Sequence, residues 1–323
     1  MFKTGFSKVK VYRFCNKKYE YSVIRNLQAK RRPAAMFRGT ILHEMLEARD
    51  NGKSAPDVWV KYLEQYGELF ESEREFYGEN YMEDIWRIYR GYLRNYRGDD
   101  WTVLATEGYV QTELTTNILF EGHYDLLVES QRRRWLVDRK SHRVIPTAEE
   151  RFNNFQLLLY AEAWNREHKR AEHVGGIIWD YIRTKAPTIP EVLKGGQLTR
   201  RKDLDTDVFT YRKAILDNEL DEDAYAVYLR ELEKRAPDRF YQRVPLPIPS
   251  PAMTKVVVEE FTQTAEMMRT AKHFPRNATY QCKSCEFFKL CNAELCGINA
   301  KYVEKNDYEQ RPEDERERES ETV

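Results

Sequence analysis

ILFEGHYDLLVESQRRRWLVDRK, residues 118–140, is the stretch of sequence that decides the fold of this chain. Its two ends are rich in Val, Leu, Tyr and Trp, and a polar run separates them, which predicts two strands joined as a hairpin. Alternate side chains of a strand share one face, so Asp138 and Lys140 point to the same side. Asp125 comes from the preceding strand and is expected to reach the same space. The hairpin therefore predicts a site with two carboxylates and a lysine.

Carboxylates beside a lysine suit the chemistry of phosphate esters. Carboxylate oxygens hold hard divalent cations such as Mg2+ or Mn2+, and an ammonium stabilises developing negative charge. Arg139 and Arg143, close by in the sequence, are candidate phosphate contacts. An ordinary exposed Asp/Lys pair is the alternative, and a tripeptide as short as Asp138-Arg139-Lys140 does not exclude it.

The segments around the hairpin predict further helices and strands. Helical spacing of apolar residues and runs of β-branched and aromatic residues distinguish the two kinds of element. We predict helices over 12–27, 40–49, 56–71, 79–96, 149–168, 209–234 and 251–272, and strands over 102–114, 118–129, 135–140, 175–181 and 240–245. Residues 184–207, which contain Pro and Gly pairs, are expected to form a loop or insertion.

Two pairs of polar residues on predicted helices accompany the hairpin. His43 and Glu47 are four residues apart and share one helical face, and Gln156 and Tyr160 repeat this spacing after the strands. The alternative interpretations are a satisfied core or surface histidine for His43 and a solvated helix edge for Gln156 and Tyr160. Because these pairs accompany the hairpin, the short Asp138-Arg139-Lys140 tripeptide does not stand alone.

The series of motifs resembles that of RecB-like nucleases of the PD-(D/E)XK superfamily. It runs from Gly39–Glu47 through Gly122-x2-Asp125 and Asp138-x-Lys140 to Gln156-x3-Tyr160, over roughly residues 10–300. The resemblance implies an α/β fold of the restriction-endonuclease type, a central mixed sheet flanked by helices. It also implies a site for Mg2+ or Mn2+, whose metal ligands are His43, Asp125 and Asp138. Asp125, Asp138, Lys140, Gln156 and Tyr160 would be the catalytic residues, the last two lining the DNA path. No proline precedes Asp125, and Asp138 stands where Glu is also found in this superfamily.

Five cysteines form a second pattern. Four lie within fifteen residues, Cys282-x2-Cys285-x5-Cys291-x4-Cys296, and Cys15 lies alone near the start. Thiolates at this spacing suit zinc or an iron–sulfur cluster, and free buried cysteines are the remaining alternative. The pattern resembles the iron–sulfur RecB-like group, which includes CRISPR-associated RecB-like exonucleases and the AddB nuclease domain. That resemblance implies Cys15, Cys282, Cys285 and Cys291 as ligands of a 4Fe-4S cluster joining the first helix to residues 276–296, and it leaves Cys296 over.

The composition of the chain limits the possible partners, location and domain organisation of the protein. The 323 residues carry 53 basic and 53 acidic side chains, with a mean hydropathy of −0.77, so net charge neither demands nor excludes a nucleic-acid partner. No apolar run approaches the roughly 18 residues that span a bilayer, and we expect a cytoplasmic protein without a membrane partner. Residues 1–303 are expected to form one nuclease domain. The acidic segment 304–323 is expected to be a disordered tail.

These observations favour a metal-dependent DNA exonuclease or end-processing nuclease. We expect it to act on single-stranded DNA or DNA ends in recombination, repair or the processing of DNA fragments. The sequence has no helicase phosphate-binding motif, so unwinding would need a helicase or recombination partner. The alternative is a non-cleaving DNA-binding or assembly subunit that keeps the fold and the cysteine cluster.

Overall fold

A six-stranded mixed sheet forms the centre of the protein. The computed structural model describes residues 1–31, 34–99, 101–152, 154–235 and 239–311. The strands are β1 (Phe2–Thr4), β2 (Leu27–Ala29), β3 (Thr102–Glu113), β4 (Ile118–Ser130), β5 (Arg133–His142), β6 (Val174–Arg183), β7 (Tyr241–Pro247) and β8 (Tyr308–Gln310). The sheet has the order β1-β4-β5-β6-β7, and β3 pairs with the other edge of β4. β2 and β8 form a separate two-stranded sheet.

The sheet contains both parallel and antiparallel pairs. β1/β4 and β5/β6 are parallel, whereas β3/β4, β4/β5 and β6/β7 are antiparallel. All five strands predicted from the sequence are present. The predicted α/β class with a central mixed sheet flanked by helices is therefore confirmed.

Helices cover both faces of the sheet. They are α1 (Phe6–Phe14), α2 (Asn16–Tyr19), α3 (Ala34–Asp50), α4 (Ala55–Gly67), α5 (Glu71–Tyr77), α6 (Tyr81–Asn95), α7 (Ala148–Phe152), α8 (Gln156–Glu167), α9 (Val208–Asp217), α10 (Ala226–Lys234), α11 (Pro251–Thr270), α12 (Phe288–Leu295) and α13 (Ala300–Asp307). Buried apolar residues of α1, α8 and α11 pack on one face of the sheet, and those of α3, α4 and α6 pack against the ends of β6 and β7 on the other side. Because both faces are covered, polar side chains on either face of the central strands can be buried.

β4 and β5 diverge in the middle of the sheet. β3 pairs along one edge of β4. Two strands share the other edge of β4, since β1 pairs with residues 118–120 and β5 pairs with residues 126–130. The alternation of β4 also shifts here, because Tyr124 and Leu127 belong to one core cluster while Leu126 and Val128 belong to another. Asp125 lies at this irregularity, where the ladder between β4 and β5 begins.

Three predicted helices are interrupted. The helix predicted over 12–27 breaks at Cys15, which has extended dihedrals (φ −162°, ψ 116°) and separates α1 from α2. The helix predicted over 149–168 divides into α7 and α8. The helix predicted over 209–234 divides into α9 and α10 around Glu219, whose φ of 54° lies in the left-handed region.

The insertion predicted over residues 184–207 extends further along the chain in the structure. Residues 184–207 hold only an isolated bridge between Val192 and Leu198 among the described elements, and α9 and α10 follow directly. Leu198 packs with Tyr211 and other residues of these two helices in a small core of their own. The segment from residue 184 to residue 235 is therefore one connection between β6 and β7.

The prediction of a disordered tail from residue 304 is wrong for its first part. Residues 304–307 complete α13, and β8 pairs antiparallel with β2, Tyr308 opposite Ala29. Tyr308 is buried in a cluster with Tyr21, Phe287 and Leu290, and this apolar anchor offsets the polar composition. Residues 312–323 lie outside the described residues.

Candidate active site and cysteine pocket

Asp125, Asp138 and Lys140 lie where β4 and β5 diverge. Asp138 and Lys140 share the face of β5 that looks toward α1, and Lys140 Nζ lies 2.8 Å from Asp138 Oδ2. Asp125 Oδ2 accepts a hydrogen bond from the backbone N–H of Arg139. The ladder between β4 and β5 ends at the pair Leu126 and Val137. The Asp125 carboxylate binds the β5 backbone two residues beyond this pair, at Arg139. The structure brings these three sequence-predicted residues together.

Asp138 is a buried carboxylate whose Oδ2 contacts the Lys140 ammonium. Only 2% of the residue is exposed, and burial raises its pKa to about 7 against the lowering effect of the Lys140 ammonium. The contact with Lys140 lacks hydrogen-bond alignment, and no described residue donates a hydrogen bond to Asp138 Oδ2. A buried oxygen without a hydrogen bond is costly unless a cation or donor meets it. The Lys140 ammonium meets this oxygen here, and a carboxylate oxygen is also the kind of ligand that Mg2+ or Mn2+ requires.

His43 belongs to α3, the helix that crosses β5. α3 crosses β5 at Gly39, where a Cβ would lie 2.6 Å from Ser141 Oγ. His43 is one helical turn further on and shares that face of α3. Burial lowers the pKa of its imidazole, and the carboxylate of Asp125 opposes this shift. A neutral imidazole is the form that binds a metal ion.

The predicted metal ligands are not assembled into a complete coordination group. Within the described ranges, no three His, Cys, Asp or Glu side chains come together closely enough to hold an ion. Asp125 is engaged by the Arg139 backbone and Asp138 by Lys140. The divergence of β4 and β5 brings the carboxylates into one region, but these contacts direct their oxygens to other partners.

Arg139, a candidate phosphate contact from the sequence, is buried on the opposite face. It is 3% exposed, and its guanidinium contacts the Asp50 carboxylate at 2.6 Å and lies 3.8 Å from Asp180. Asp180 also contacts Arg243 at 3.2 Å and accepts a hydrogen bond from the Tyr92 hydroxyl at 2.5 Å. Arg139 therefore ties β5 to α3 and α6 and is not a phosphate contact. Sequence periodicity identified its face of the strand but not that helices cover it.

Gln156 and Tyr160 are buried residues of α8, the helix that packs on β4. The prediction that they line the DNA path stays a prediction, and the structure shows both residues buried, at 4% and 0% exposed. Gln156 Nε2 donates a hydrogen bond to the Tyr160 hydroxyl at 2.8 Å. The Tyr160 ring fills the space over Gly122, where a Cβ would lie 2.2 Å from its Cε1. This motif pair therefore seats α8 on β4, three residues before Asp125.

Four cysteines from distant parts of the sequence line one pocket. Cys15, Cys282, Cys285 and Cys291 surround a cavity of about 180 Å3. Cys15 is placed there by the break between α1 and α2. The other three come from the turn after residue 277 and from α12.

Hydrogen-bond donors surround the thiols of this pocket. The backbone N–H of Asn277 lies 3.5 Å from Cys15 Sγ, that of Thr279 lies 3.4 Å from Cys282 Sγ, and Arg276 Nε donates to Cys291 Sγ at 3.2 Å. Such donors stabilise thiolates and tune iron–sulfur clusters. The chemistry of the donor set therefore fits a soft metal centre, although in the described part of the chain the four sulfurs do not form a closed metal-binding group.

Cys296 does not belong to this pocket. It is exposed, and its Sγ lies 3.6 Å from Asn292 Oδ1. Ion pairs join the early and late segments next to the pocket, since Glu294 contacts Lys17 at 3.0 Å and Arg25 at 3.3 Å. These ion pairs and the β2/β8 sheet join the early and late segments without any contribution from the thiols.

The protein is thus of the α/β class, with a mixed central sheet and two carboxylates and a lysine where β4 and β5 diverge. A family model described as "PD-(D/E)XK nuclease superfamily" matches residues 4–292, nearly the whole chain. The chain belongs to this superfamily.

Comparison with individual proteins adds one weak structural similarity. Among solved structures, one described as "Crystal structure of SSO0001" is similar at 15% identity with a TM-score of 0.32, over 73% of this chain and 81% of that one. No curated protein matches. In the described part of the chain, no helix is long and apolar enough to cross a membrane.

Proposed function

We propose that the protein is a Mg2+- or Mn2+-dependent DNA exonuclease or end-processing nuclease acting on single-stranded DNA or DNA ends. The observation that carries this proposal is the grouping of Asp125, Asp138 and Lys140 where β4 and β5 diverge. In this family a bound divalent ion would supply an activated water and neutralise negative charge on the phosphate. Asp125 and Asp138 would hold the ion, with His43 as a third ligand.

The protein's own residues prepare the site for this chemistry. Lys140 places a positive charge beside the Asp138 carboxylate, where the negative charge of a phosphoryl group would increase during attack. Burial of Asp138 excludes water and strengthens that interaction. Gln156 and Tyr160 act as positioning residues, because their packing on Gly122 fixes β4.

The test is degradation of end-labelled single- and double-stranded DNA in Mg2+ or Mn2+. We expect Lys140→Ala to lose activity by about a hundredfold or more, as when a charge-stabilising donor is removed. Lys255→Ala, which removes an exposed lysine of α11 paired with Glu259, is the matched control and should keep wild-type activity. If all three proteins bind DNA and are equally inert with both metals, the catalytic proposal is refuted in favour of a non-cleaving DNA-binding subunit.

We also propose that Cys15, Cys282, Cys285 and Cys291 hold a 4Fe-4S cluster, with Zn2+ as the rival occupant. The shared pocket and the N–H donors aimed at the sulfurs support this assignment. Anaerobically purified protein should be brown with iron and sulfide bound, and Cys15→Ala should lose both. Cys296→Ala is the control that keeps them. A colourless protein with stoichiometric zinc would instead establish the zinc alternative.

The proposed biological setting is recombination, repair or processing of DNA fragments. Such work requires strand separation, which the sequence has no motif to drive. A helicase or recombination partner would therefore supply single-stranded ends to this nuclease. Addition of an unwinding enzyme should make duplex DNA a substrate as good as single-stranded DNA.

A further inference from the structure

A groove outside the metal-ligand set opens beside Lys140. It has a volume of about 650 Å3, within the usual range for ligand sites. One wall is α1, and the other is the segment that follows β5. Residues that line this lateral groove include Phe6, Lys10, Arg13, His142, Phe155 and Tyr181.

The lateral groove begins at the proposed catalytic lysine. Tyr181 of β6 is the register partner of Lys140, and His142 is two residues further along β5 on the same face as Lys140. Lys10 of α1 is close enough to interact with the Lys140 ammonium. Partial desolvation and the charges of Lys140 and Lys18 lower the pKa of Lys10, and the charge of Asp138 opposes this shift. The groove is therefore continuous with the site where the phosphate would be cleaved.

The two walls of the lateral groove differ in chemistry. Lys10 and Arg13 are exposed cations on α1, and Arg13 is held in place by hydrogen bonds to Thr264 Oγ1 at 2.9 Å and to the Glu260 carbonyl at 2.7 Å. The opposite side carries aromatic rings, with the His142 ring edge-on to Tyr181 at 5.7 Å.

One acidic residue also lines the lateral groove. Glu150 is already engaged, because its carboxylate accepts a hydrogen bond from the backbone N–H of Thr147 at 2.8 Å. The facing wall carries the cations Lys10 and Arg13 and also the Phe6 ring.

We propose that the lateral groove takes the unpaired nucleotide next to the scissile phosphate, with its phosphate on Lys10 and its base against the aromatic wall. Cations that face aromatic rings match a nucleotide, since bases stack on aromatic side chains and phosphates bind lysine. A paired base would keep its neighbours in the duplex and could not enter. This proposal rests on the proposed nuclease function and deepens it, because it makes Lys10 a positioning residue and a single strand the substrate.

The first test measures binding rather than cleavage. All variants are made in the Lys140→Ala protein, and anisotropy of a labelled oligothymidylate is followed in Mg2+ as salt is raised. Lys10→Ala should lower the slope of log affinity against log salt by about 0.7, the value for one phosphate contact on a single strand. Lys10→Arg should keep the slope.

Lys8→Ala is the matched control for this test. Lys8 belongs to the same helix and carries the same charge, but it pairs with Glu121 at 3.3 Å and does not line the groove. Its removal should leave the salt slope unchanged. If Lys10→Ala and Lys8→Ala have the parent slope, or lower it equally, the assignment of Lys10 is overturned.

The second test removes bases from the DNA. An oligonucleotide of the same length with abasic positions should bind the parent protein about tenfold more weakly, because stacking is lost. That penalty should shrink in His142→Ala, whose folding is checked by its thermal midpoint. An unchanged penalty in a folded His142→Ala would refute the aromatic subsite.

The two proposals fail in different ways. Failure of cleavage by the wild type in either metal, with a lower slope in Lys10→Ala, refutes the nuclease and leaves the nucleotide subsite. Normal cleavage with unchanged slopes and an unchanged abasic penalty refutes the subsite and leaves the nuclease.

Discussion

Replacement of Arg139 by methionine should destabilise the protein strongly, although this residue follows a proposed catalytic aspartate in the sequence. The Arg139 guanidinium contacts Asp50 at 2.6 Å and lies 3.8 Å from Asp180. The two carboxylate side chains are 6% and 0% exposed. Methionine fills a similar volume but carries no charge, so Asp50 would remain buried without its nearest cation.

The size of the effect follows from what remains around the two carboxylates. Breaking a buried ion pair by removing one partner costs about 3–5 kcal/mol. Asp180 keeps Arg243 at 3.2 Å, and Asp50 keeps a contact with the partly exposed Arg49 at 3.4 Å. The lower end of the range therefore applies, a loss of about 3 kcal/mol in the free energy of unfolding. At about 2 °C per kcal/mol for a chain of this size, the thermal midpoint should fall by about 6 °C.

The measurement is denaturant and thermal unfolding in EDTA, so that divalent-metal binding does not contribute. A second substitution, Asp50→Asn, completes a double-mutant cycle. Asp50→Asn in the Arg139→Met protein should recover more than half of the loss, because it removes the charge that Arg139 had neutralised.

Two results would refute this reasoning. One is a loss below about 1 kcal/mol for Arg139→Met, the level typical of exposed ion pairs. The other is normal stability with a weaker affinity for DNA and a lower salt slope, which would restore Arg139 as a phosphate contact.

Two further predictions concern the site itself. Gly122→Ala should lower the free energy of unfolding by about 1–3 kcal/mol, since its Cβ would lie 2.2 Å from the Tyr160 ring, while Gly195→Ala, with open space around it, should not. Burial raises the pKa of Asp138 to about 7 from 3.8, so the native state favours the protonated form. The stability this gives is present below about pH 4 and is lost as pH rises through about 7. In EDTA, Asp138→Asn should therefore gain stability over the wild type between pH 4 and 8 in urea unfolding, and a constant difference would contradict the assignment.

Local periodicity was enough to locate the central part of the site. Alternation along β5 places Asp138 and Lys140 on one face, and the hairpin brings Asp125 to them, as the structure has it. The strand divergence could not be predicted in the same way, because it depends on β1. That strand is three residues long, and it pairs with β4 more than a hundred residues later in the sequence.

Burial was the property that the sequence predicted least well. Arg139 and Tyr160 carry polar groups that are usually exposed, and only the helices packed on each face of the sheet bury them. No sequence pattern marked Lys10 as a candidate functional residue, because its position in α1 does not reveal which strand that helix crosses. The break at Cys15 depends on backbone dihedrals that the helical pattern of 12–27 conceals.

The pairing of β2 with β8 has a consequence for the order of events during synthesis. β2 ends at Ala29, shortly before α3 brings His43 toward the site, and its partner ends at Gln310. At about 5–20 residues per second, a ribosome takes roughly 15 to 60 s to make the intervening chain. Throughout that interval the segment leading into α3 lacks its strand partner, and the proposed cysteine centre lacks three of its four thiols. Until residue 310 has emerged, the nascent chain therefore lacks the β2/β8 sheet and the contacts that this sheet makes with the segment before α3.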